Sequence, residues 1–285
     1  MHEPLQSAYK AAHSTESALL RVQNDILTSM DQKKATFLVL LDLSAAFDTV
    51  NHPILLQRMA GRLRIGGTAL SWFKSYLGDR TQKVSINDAL SLAIHLLFGV
   101  PQGSVLGPLL YLIYTLPIGD IIRRHRLMYH LYADDTQLYV SFDLSDPTSM
   151  VDSQNRILNC VAEIKRWMAL NKLKLNADKT EVIMVSSTFS RHQPTLTDFD
   201  IGDDRVSPSV NVRNLAVVFD INLSMNSHIT KVCSAAYYHL RNISRTRTVL
   251  TLDSAKAITH AFVTARLDYY NSLLSGMPKS TISKL

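Results

Sequence analysis

The stretch LMYHLYADDTQLYV, residues 127–140, carries the strongest structural signal in this sequence. Apolar, β-prone residues lie on both sides of Tyr132-Ala133-Asp134-Asp135, so the pattern predicts a β-hairpin with two adjacent carboxylates at its turn. Adjacent carboxylates repel each other and need a positive partner. A divalent cation is the natural one, so this stretch predicts a metal-binding turn.

A second acidic residue stands in a similar setting upstream. Asp42 follows the apolar run FLVLL, residues 37–41, where a carboxylate without a partner would be costly. It can lie just past the strand as a solvated residue or helix cap, or it can be a metal ligand; the Asp134-Asp135 pair favours the ligand. We therefore expect a site for two Mg²⁺ ions, with Mn²⁺ as an alternative, because these ions take oxygen ligands and leave positions open for phosphates.

Composition sets broad limits on the class of protein. With 285 residues, 46% apolar and 19% charged, the chain is an ordinary globular protein of one large or two small domains. The net charge of +6 favours a polyanionic partner, although a basic surface alone explains it equally well. Cys160 and Cys233 form no disulfide framework or metal spacing, which predicts an intracellular location, nucleus or cytoplasm.

No membrane association is expected from the sequence. The first residues are polar, so no signal peptide is visible. The longest apolar stretch, residues 109–122, is interrupted by Pro117 and Asp120, and we expect it to be too short to span a bilayer.

Periodicity along the chain predicts a mixed α and β architecture. Helices are expected after Ser14, from Pro53, over 68–77, from the end of segment 99–108 to about 121, after Asp146, and from 226 to the end. Strands are expected over 37–43, 82–86, 91–98, 180–185 and 210–219, with a polar surface excursion at 190–208. This order favours an α+β fold with a sheet of the split-βαβ kind and the acidic residues at strand edges.

Two further segments can carry chemistry. The sequence GVPQGSVLGP, residues 99–108, has an unusual backbone that can approach a ligand closely, although such segments are often only turns before a helix. In LNADKTE, residues 175–181, Lys179 can neutralise pyrophosphate or donate a proton to it; the alternative is a surface lysine in a turn.

These segments occur in an order that resembles the reverse transcriptase domain of non-LTR (LINE-type) retrotransposons. The principal matches are LDLSAAFD at 41–48, the segment 99–108, YADD at 132–135, and residues 175–181. Shorter matches occur at 6–9, 13–16, 71–77, 213–215 and 266–269, so the resemblance covers essentially the whole chain.

The resemblance implies a right-hand polymerase palm: a split βαβ-like antiparallel sheet with helices on one face. It implies partial fingers at 1–35, the palm with inserted fingers elements at 36–208, a primer-grip-like hairpin at 209–225, and a partial helical thumb at 226–285. The chain begins after the family's upstream fingers motifs and ends inside the thumb, so a fragment is expected.

The resemblance also implies roles for individual residues. Asp42, Asp134 and Asp135 would hold two magnesium ions, together with the carbonyl of Leu43. Lys179 would protonate the leaving pyrophosphate.

Three more residues would contact the substrates. Phe47 would form the gate under the incoming sugar, selecting deoxynucleotides; the alternative is a core aromatic, and one residue can serve both roles. Gln102 and Gly103 would contact the nascent base pair and template. The basic tail would grip the duplex backbone through Arg241, Arg245 and Arg247.

The implied activity is RNA-directed DNA polymerisation, with an RNA template, a DNA primer and deoxynucleoside triphosphates as partners and the oligomeric state open. One alternative is a catalytically inactive, nucleic-acid-binding remnant; another is an RNA-to-RNA polymerase, which Phe47 disfavours. The family pattern is broken at Lys10-Ala11-Ala12, where a proline and a glycine are expected, and at Ala216, where the primer-grip glycine is expected.

Overall fold

The computed structural model describes residues 3–44, 46–189, 198–201 and 204–285. Its α-helices are α1 Thr15–Asp31, α2 His52–Leu63, α3 Gly67–Leu77, α4 Leu106–Thr115, α5 Pro117–Arg124, α6 Pro147–Leu170, α7 Asn226–Thr246, α8 Leu252–Thr259, α9 Ala265–Asp268 and α10 Lys279–Ile282. Its strands are β1 Lys34–Ser44, β2 Thr81–Gln82, β3 Ser85–Ile86, β4 Ala89–Leu90, β5 Ile94–His95, β6 Met128–Tyr132, β7 Asp135–Asp143, β8 Lys174–Val185, β9 Phe199–Ile201, β10 Asp204–Val206, β11 Asn211–Asn214 and β12 Val217–Asp220.

Four long strands form the central sheet in the order β6-β7-β1-β8. Every neighbouring pair is antiparallel, and Phe37 of β1 lies opposite Val140 on one side and Met184 on the other. Because β1 and β8 enclose the β6–β7 hairpin in sequence, this is the split-βαβ arrangement that the sequence predicts. The α+β palm-like fold is confirmed.

One face of the sheet packs against α4, α5 and α6. Phe37 lies at the centre of that core, with its ring 4.5 Å from Phe142 and 5.2 Å from Phe199. The apolar stripe expected on α6 is present, and Val161, Ile164 and Met168 are buried. Full burial of an aliphatic side chain contributes roughly 1.5–3 kcal/mol, so this layer is a main source of stability.

The opposite face is also covered, by α1 and the hairpin β11–β12. Leu38 and Tyr139 on the sheet pack with Val22 and Ile26 of α1 and with Phe219 of β12. Helix α1 begins where the sequence predicts, because Ser14 caps it and exchanges hydrogen bonds with Ser17 in a capping box. The sheet is thus a buried middle layer, and only its ends are available for a site.

Residues 199–201 and 204–206 correct the prediction of a polar surface excursion. Strands β9 and β10 pair antiparallel there, and Phe199 and Ile201 are buried in the main core. The apolar residues alternate over only three positions among polar neighbours, which hides the period-2 signal. Residues 190–197 and 202–203 of that predicted segment lie outside the described residues.

Several boundaries differ from the predictions. The expected strand 210–219 is a hairpin, β11–β12, whose turn residues Leu215 and Ala216 have φ of 44° and 74°. Strand β8 begins at Lys174 rather than at residue 180. The predicted pairing of 82–86 with 91–98 is only partly present: β2 pairs with β5 as expected, whereas β3 pairs with β4 at Ala89–Leu90, before the predicted second strand.

The apolar helix after the glycine-proline segment is divided into α4 and α5 at Leu116, because Pro117 begins a new helix. Together they form a 19-residue helical stretch, Leu106–Arg124, that is long and apolar enough to cross a bilayer by length and composition alone. The expectation that this segment is too short therefore fails on length. A buried core helix meets the same criterion, and 56% of an 18-residue window of this stretch is buried.

The chain from α7 onward is helical, as predicted. It includes short 3-10 segments at Arg247–Val249 and Asn271–Leu274 and a π-helical turn at His260–Thr264. His239 of α7 stacks on Phe262 with ring centroids 5.1 Å apart, which joins the helices.

Candidate active site

Three carboxylates meet at one end of the two central strands. Leu41 of β1 pairs with Thr136 of β7, so Asp42 and Asp135 lie one residue beyond that pair on neighbouring strands. Asp134 occupies the β6–β7 turn, beside Ala133 with φ of 56°. Asp42 is 92 residues from Asp134 in the chain, and the antiparallel pairing of β1 with β7 brings it to the Asp134-Asp135 pair.

An irregularity in β8 brings a lysine to the same place. Leu40 pairs with Glu181 and Asp42 pairs with Asn176, so residues 177–180 lie opposite Leu41 alone. This bulge carries Lys179, whose Nζ lies 3.0 Å from Oδ2 of Asp42. The hydrogen bond to Asp42 raises the pKa of the Lys179 ammonium, so it stays charged.

The carboxylates outnumber this cation. Partial burial raises the pKa of Asp134, and repulsion by Asp42 adds to the effect. The pKa of Asp135 rises to about 6, from partial burial first and then from repulsion by Asp134 and Asp42. Asp135 retains solvent contact, so screening keeps the associated cost to stability small. The site therefore holds an excess of negative charge that a bound cation would relieve.

The donor chemistry fits hard divalent cations, which prefer carboxylate oxygens. Among the described residues, no group of three or more His, Cys, Asp or Glu side chains has the spacing of a formed metal cage. The acids nevertheless repel one another, and Asp42 pairs with the ammonium of Lys179. Both observations indicate that additional positive charge would stabilise this site. Leu43 directs its side chain into the core and pairs with Leu175, so its backbone oxygen is the only part that could contribute.

Asp42 and Asp135 open onto a cavity of about 420 Å³. Its walls come from β1, β7, β8 and β11, and its lining residues are Leu40, Leu41, Asp42, Asp135, Asp178, Lys179, Glu181 and Arg213. Glu181 accepts a hydrogen bond from the backbone amide of Arg213 at 3.1 Å, which ties the β11–β12 hairpin to this wall. Asp178, Glu181 and Arg213 were not predicted as site residues. The β8 bulge brings Asp178 here, the regular pairing of β8 with β1 brings Glu181, and the β11–β12 hairpin brings Arg213.

Phe47 packs below this end of the sheet. Its ring is half-buried and stacks on Tyr111, with centroids 4.7 Å apart and planes at 28°. Tyr111 is fully buried in the main core. Phe47 is therefore a core-packed aromatic, as one of its two predicted roles requires; its role as a sugar gate stays a prediction.

The segment 99–108 is fastened to the chain that follows Asp42. The amide of Val100 donates to the carbonyl of Phe47 at 2.9 Å, and a side chain at Gly107 would overlap the carbonyl of Pro101. Gln102 and Gly103 are exposed, and within the described chain neither lines the carboxylate cavity. The structure thus places them next to the site without bringing them into it.

Gln6 is a supporting residue whose role sequence reasoning missed. Its Oε1 accepts from the amide of Ala133 at 3.0 Å, and its Nε2 donates to the carbonyl of the same residue at 3.3 Å. Ala133 immediately precedes Asp134, so Gln6 holds the acidic turn from across the sheet edge. The match at 6–9 was the only signal, because nothing local reveals a partner 127 residues away.

Residues 2–219 match the family described as "Reverse transcriptase (RNA-dependent DNA polymerase)". The chain belongs to this family. Within the reverse transcriptase domain, the match includes the three acids, Lys179 and the β11–β12 hairpin up to Phe219.

Relatives among known proteins come from mobile elements. The domain is 27% identical over 261 residues to the probable RNA-directed DNA polymerase from transposon BS of Drosophila melanogaster, covering 89% of this chain and 28% of that protein. It is 28% identical over 236 residues to the RNA-directed DNA polymerase from mobile element jockey of the same species, covering 81% and 24%. The resemblance to non-LTR retrotransposons is confirmed, and the chain spans about a quarter of the length of these relatives.

Solved structures support the fold. A telomerase from Candida tropicalis, truncated from its C-terminal domain, aligns with a TM-score of 0.53 at 13% identity, covering 76% of this domain and 40% of that chain. A second Candida tropicalis telomerase structure, with a telomeric RNA fragment, aligns with a TM-score of 0.50 at 14% identity, covering 98% and 44%. At this identity, the likeness concerns the fold alone.

Proposed function

We propose that this reverse transcriptase domain extends a DNA 3′ end along an RNA template, using deoxynucleoside triphosphates and two Mg²⁺ ions, for which Mn²⁺ can substitute. The observation that carries the proposal is the meeting of Asp42, Asp134 and Asp135 at one end of the sheet, with the ammonium of Lys179 3.0 Å from Asp42. The relatives are named as RNA-directed DNA polymerases, which supports the same activity here.

In this proposal the three aspartates hold the metal ions, and the Leu43 carbonyl adds an oxygen. When bound, such ions would stabilise the negative charge on the attacking 3′-oxygen and on the departing pyrophosphate. The raised pKa of Asp134 and Asp135 comes first from partial burial and then from repulsion between the acids, and a bound cation would oppose both effects. A bound cation would therefore relieve the repulsion between the acids of the free protein, and this relief favours cation binding.

Lys179 keeps a proton ready. Its raised pKa holds the proton on Nζ at neutral pH, and the exposed side chain can leave Asp42 and reach the cavity that both residues line. We propose that it neutralises the leaving pyrophosphate and gives it this proton.

The substrate contacts are further parts of the proposal. Phe47 rests on Tyr111 and so has a fixed height beneath a sugar, as a gate against a 2′-hydroxyl requires. The exposed Gln102 and Gly103 are available to a base pair and template. The net charge of +6 and the exposed arginines of α7 favour binding of a nucleic-acid backbone, in an intracellular setting.

The domain boundaries are proposed as the sequence predicts: partial fingers at 1–35, palm at 36–208, primer-grip-like hairpin at 209–225 and thumb at 226–285. The division at 209–225 is supported by the β11–β12 hairpin, which packs on the palm sheet and lines the carboxylate cavity through Arg213.

The deciding experiment is primer extension on poly-rA/oligo-dT with Mg²⁺, comparing the protein with Asp134→Asn. Asp143→Asn is the matched control, because Asp143 lies at the opposite end of the same strand, β7, where it pairs with Lys34. We expect extension to be lost with Asp134→Asn and kept with Asp143→Asn. Extension that survives Asp134→Asn overturns the metal assignment.

A folded wild-type protein that binds an RNA–DNA hybrid without extending it would instead indicate the non-catalytic remnant. The gate is tested separately: Phe47→Ala should raise ribonucleotide incorporation relative to deoxynucleotides. An unchanged preference would remove that role from Phe47.

A further inference from the structure

Helix α4 carries two fully buried tyrosines less than one turn apart. Both Tyr111 and Tyr114 have no exposed surface. The Tyr114 hydroxyl donates a hydrogen bond to the backbone carbonyl of Asn171. The Tyr111 hydroxyl has no hydrogen-bond partner within the described residues.

An unpartnered buried hydroxyl needs an explanation. Native proteins satisfy nearly all buried polar groups, because leaving one without a partner forfeits its hydration. A phenylalanine would fill the same core position and stack on Phe47 without this cost. The hydroxyl of Tyr111 is therefore expected to have a partner in some state of the protein.

The surroundings of Tyr111 favour the acids of the site as that partner. Its ring stacks on Phe47, and it shares a core cluster with Leu41 and Leu43, the two neighbours of Asp42. The pKa of its hydroxyl is well above the usual value, chiefly through burial and then through the negative charges of Asp134, Asp135 and Asp42. The hydroxyl thus keeps its proton and lies in the field of all three acids.

We propose that Tyr111 is a positioning residue for the carboxylate cluster: its hydroxyl donates a hydrogen bond to Asp134 when a divalent cation draws the acids together. The inference rests on the proposed function, because it takes the acids to be metal ligands. A donor behind a ligating carboxylate orients it, and loss of such a partner commonly costs about 10-fold or more in metal affinity.

The pair of tyrosines supplies a matched experiment. Tyr111→Phe and Tyr114→Phe each remove one hydroxyl from α4, one unpartnered and one bonded. Mn²⁺ binding is measured by the electron paramagnetic resonance signal of free Mn²⁺ in titrations of the whole chain, with Mg²⁺ as competitor. We expect Tyr111→Phe to weaken Mn²⁺ binding about 10-fold and Tyr114→Phe to leave it unchanged.

Melting in EDTA separates positioning from packing. Tyr111→Phe should melt at or above the wild-type temperature, since it removes an unsatisfied hydroxyl. Tyr114→Phe should melt at a lower temperature, because the Asn171 carbonyl loses its hydrogen-bond donor. A folded Tyr111→Phe that binds Mn²⁺ as tightly as wild type overturns the proposal. So does a wild type that binds no Mn²⁺.

The outcome is separable from that of the proposed function. If wild type extends no primer but Tyr111→Phe still weakens Mn²⁺ binding, positioning stands and the polymerase assignment falls. If wild type extends primers and Tyr111→Phe binds Mn²⁺ normally, the polymerase assignment stands and positioning falls.

Discussion

The N-terminal clamp, residues 3–8, and the carboxylate cluster of Asp42, Asp134 and Asp135 both place acids against the β6–β7 hairpin. They differ in how far neighbouring groups neutralise those acids. In the clamp, the buried Glu3 accepts hydrogen bonds from Tyr129 at 2.5 Å and from Arg123 at 2.8 Å. Gly119 leaves room for this carboxylate, which a side chain there would overlap.

In the cluster, by contrast, three acids share one exposed lysine, and the pKa of both Asp134 and Asp135 is raised. Balanced charge holds the fold together, whereas unbalanced charge marks the place where a ligand completes the site. Gln6 links the two regions, because it belongs to the clamp and holds Ala133 at the acidic turn.

The largest effect is expected from removing a charge on the unbalanced side. Asp42→Asn should lower the rate of primer extension by about 100-fold or more. The Asp42 carboxylate is proposed to hold a metal ion, and such an ion stabilises the transition state by several kcal/mol. Its free energy of unfolding should change by less than about 1 kcal/mol, because Lys179, its ion-pair partner, is largely exposed and can turn to solvent. Single-turnover extension and urea unfolding measure the two quantities; a large loss of stability would place Asp42 with the structural charges instead.

Acid should weaken the clamp through His130, which bonds to Ser7 at 2.8 Å. Burial lowers the pKa of His130 to about 4, against about 6.5 in an unfolded chain. Between these values the unfolded chain binds more protons, so stability falls as pH decreases from 6.5 to 4, by at most about 3 kcal/mol. Across that range, the free energy of unfolding measured with urea should decline less for His130→Asn than for the wild type. An equal decline would show that His130 does not cause the loss of stability in acid.

Removing the charge of the buried Glu3 in the N-terminal clamp should lower stability. Glu3→Gln should lower the free energy of unfolding by about 2 kcal/mol, because Arg123 and Tyr129 lose a charged acceptor. Glu163→Gln is the control, since Glu163 pairs with Arg124 and His125 nearer the surface and should cost less than about 1 kcal/mol. Similar losses for the two variants would show that burial does not set the value of these charges.

The smallest effect concerns backbone strain in the β11–β12 turn, which borders the unbalanced site. Ala216 has φ of 74°, a conformation that glycine adopts without strain, so Ala216→Gly should stabilise the protein by about 1 kcal/mol. The same change at Ala257, exposed in helix α8, should destabilise it by about 1 kcal/mol. Thermal or urea unfolding gives both signs; a loss at Ala216 would mean that the turn is not strained.

Much of the site was predictable because its signals are local. The acidic turn lies between two alternating apolar runs, and Asp42 directly follows a third, so the sequence placed all three acids at strand ends. The glycine expected at position 216 marked a positive φ, which the structure has at Ala216.

The missed features depend on distant partners. Phe199 and Ile201 form too short a pattern to stand out, and they are buried because the sheet and α6 provide a surface for them. Tyr111 resembles any core aromatic until its hydroxyl is found without a partner. The pairing of Lys179 with Asp42 depends on a bulge that no local rule places.

The sequence by itself determined which residues carry charge, where most helices and the strands that carry the three acids lie, and to which family the chain belongs, because those properties are written in neighbouring residues. Only the tertiary structure decided which charges are balanced: Glu3 meets Arg123 120 residues away, and Gln6 meets Ala133 127 residues away. Such contacts follow from how the whole chain packs, and no short stretch of it contains both partners.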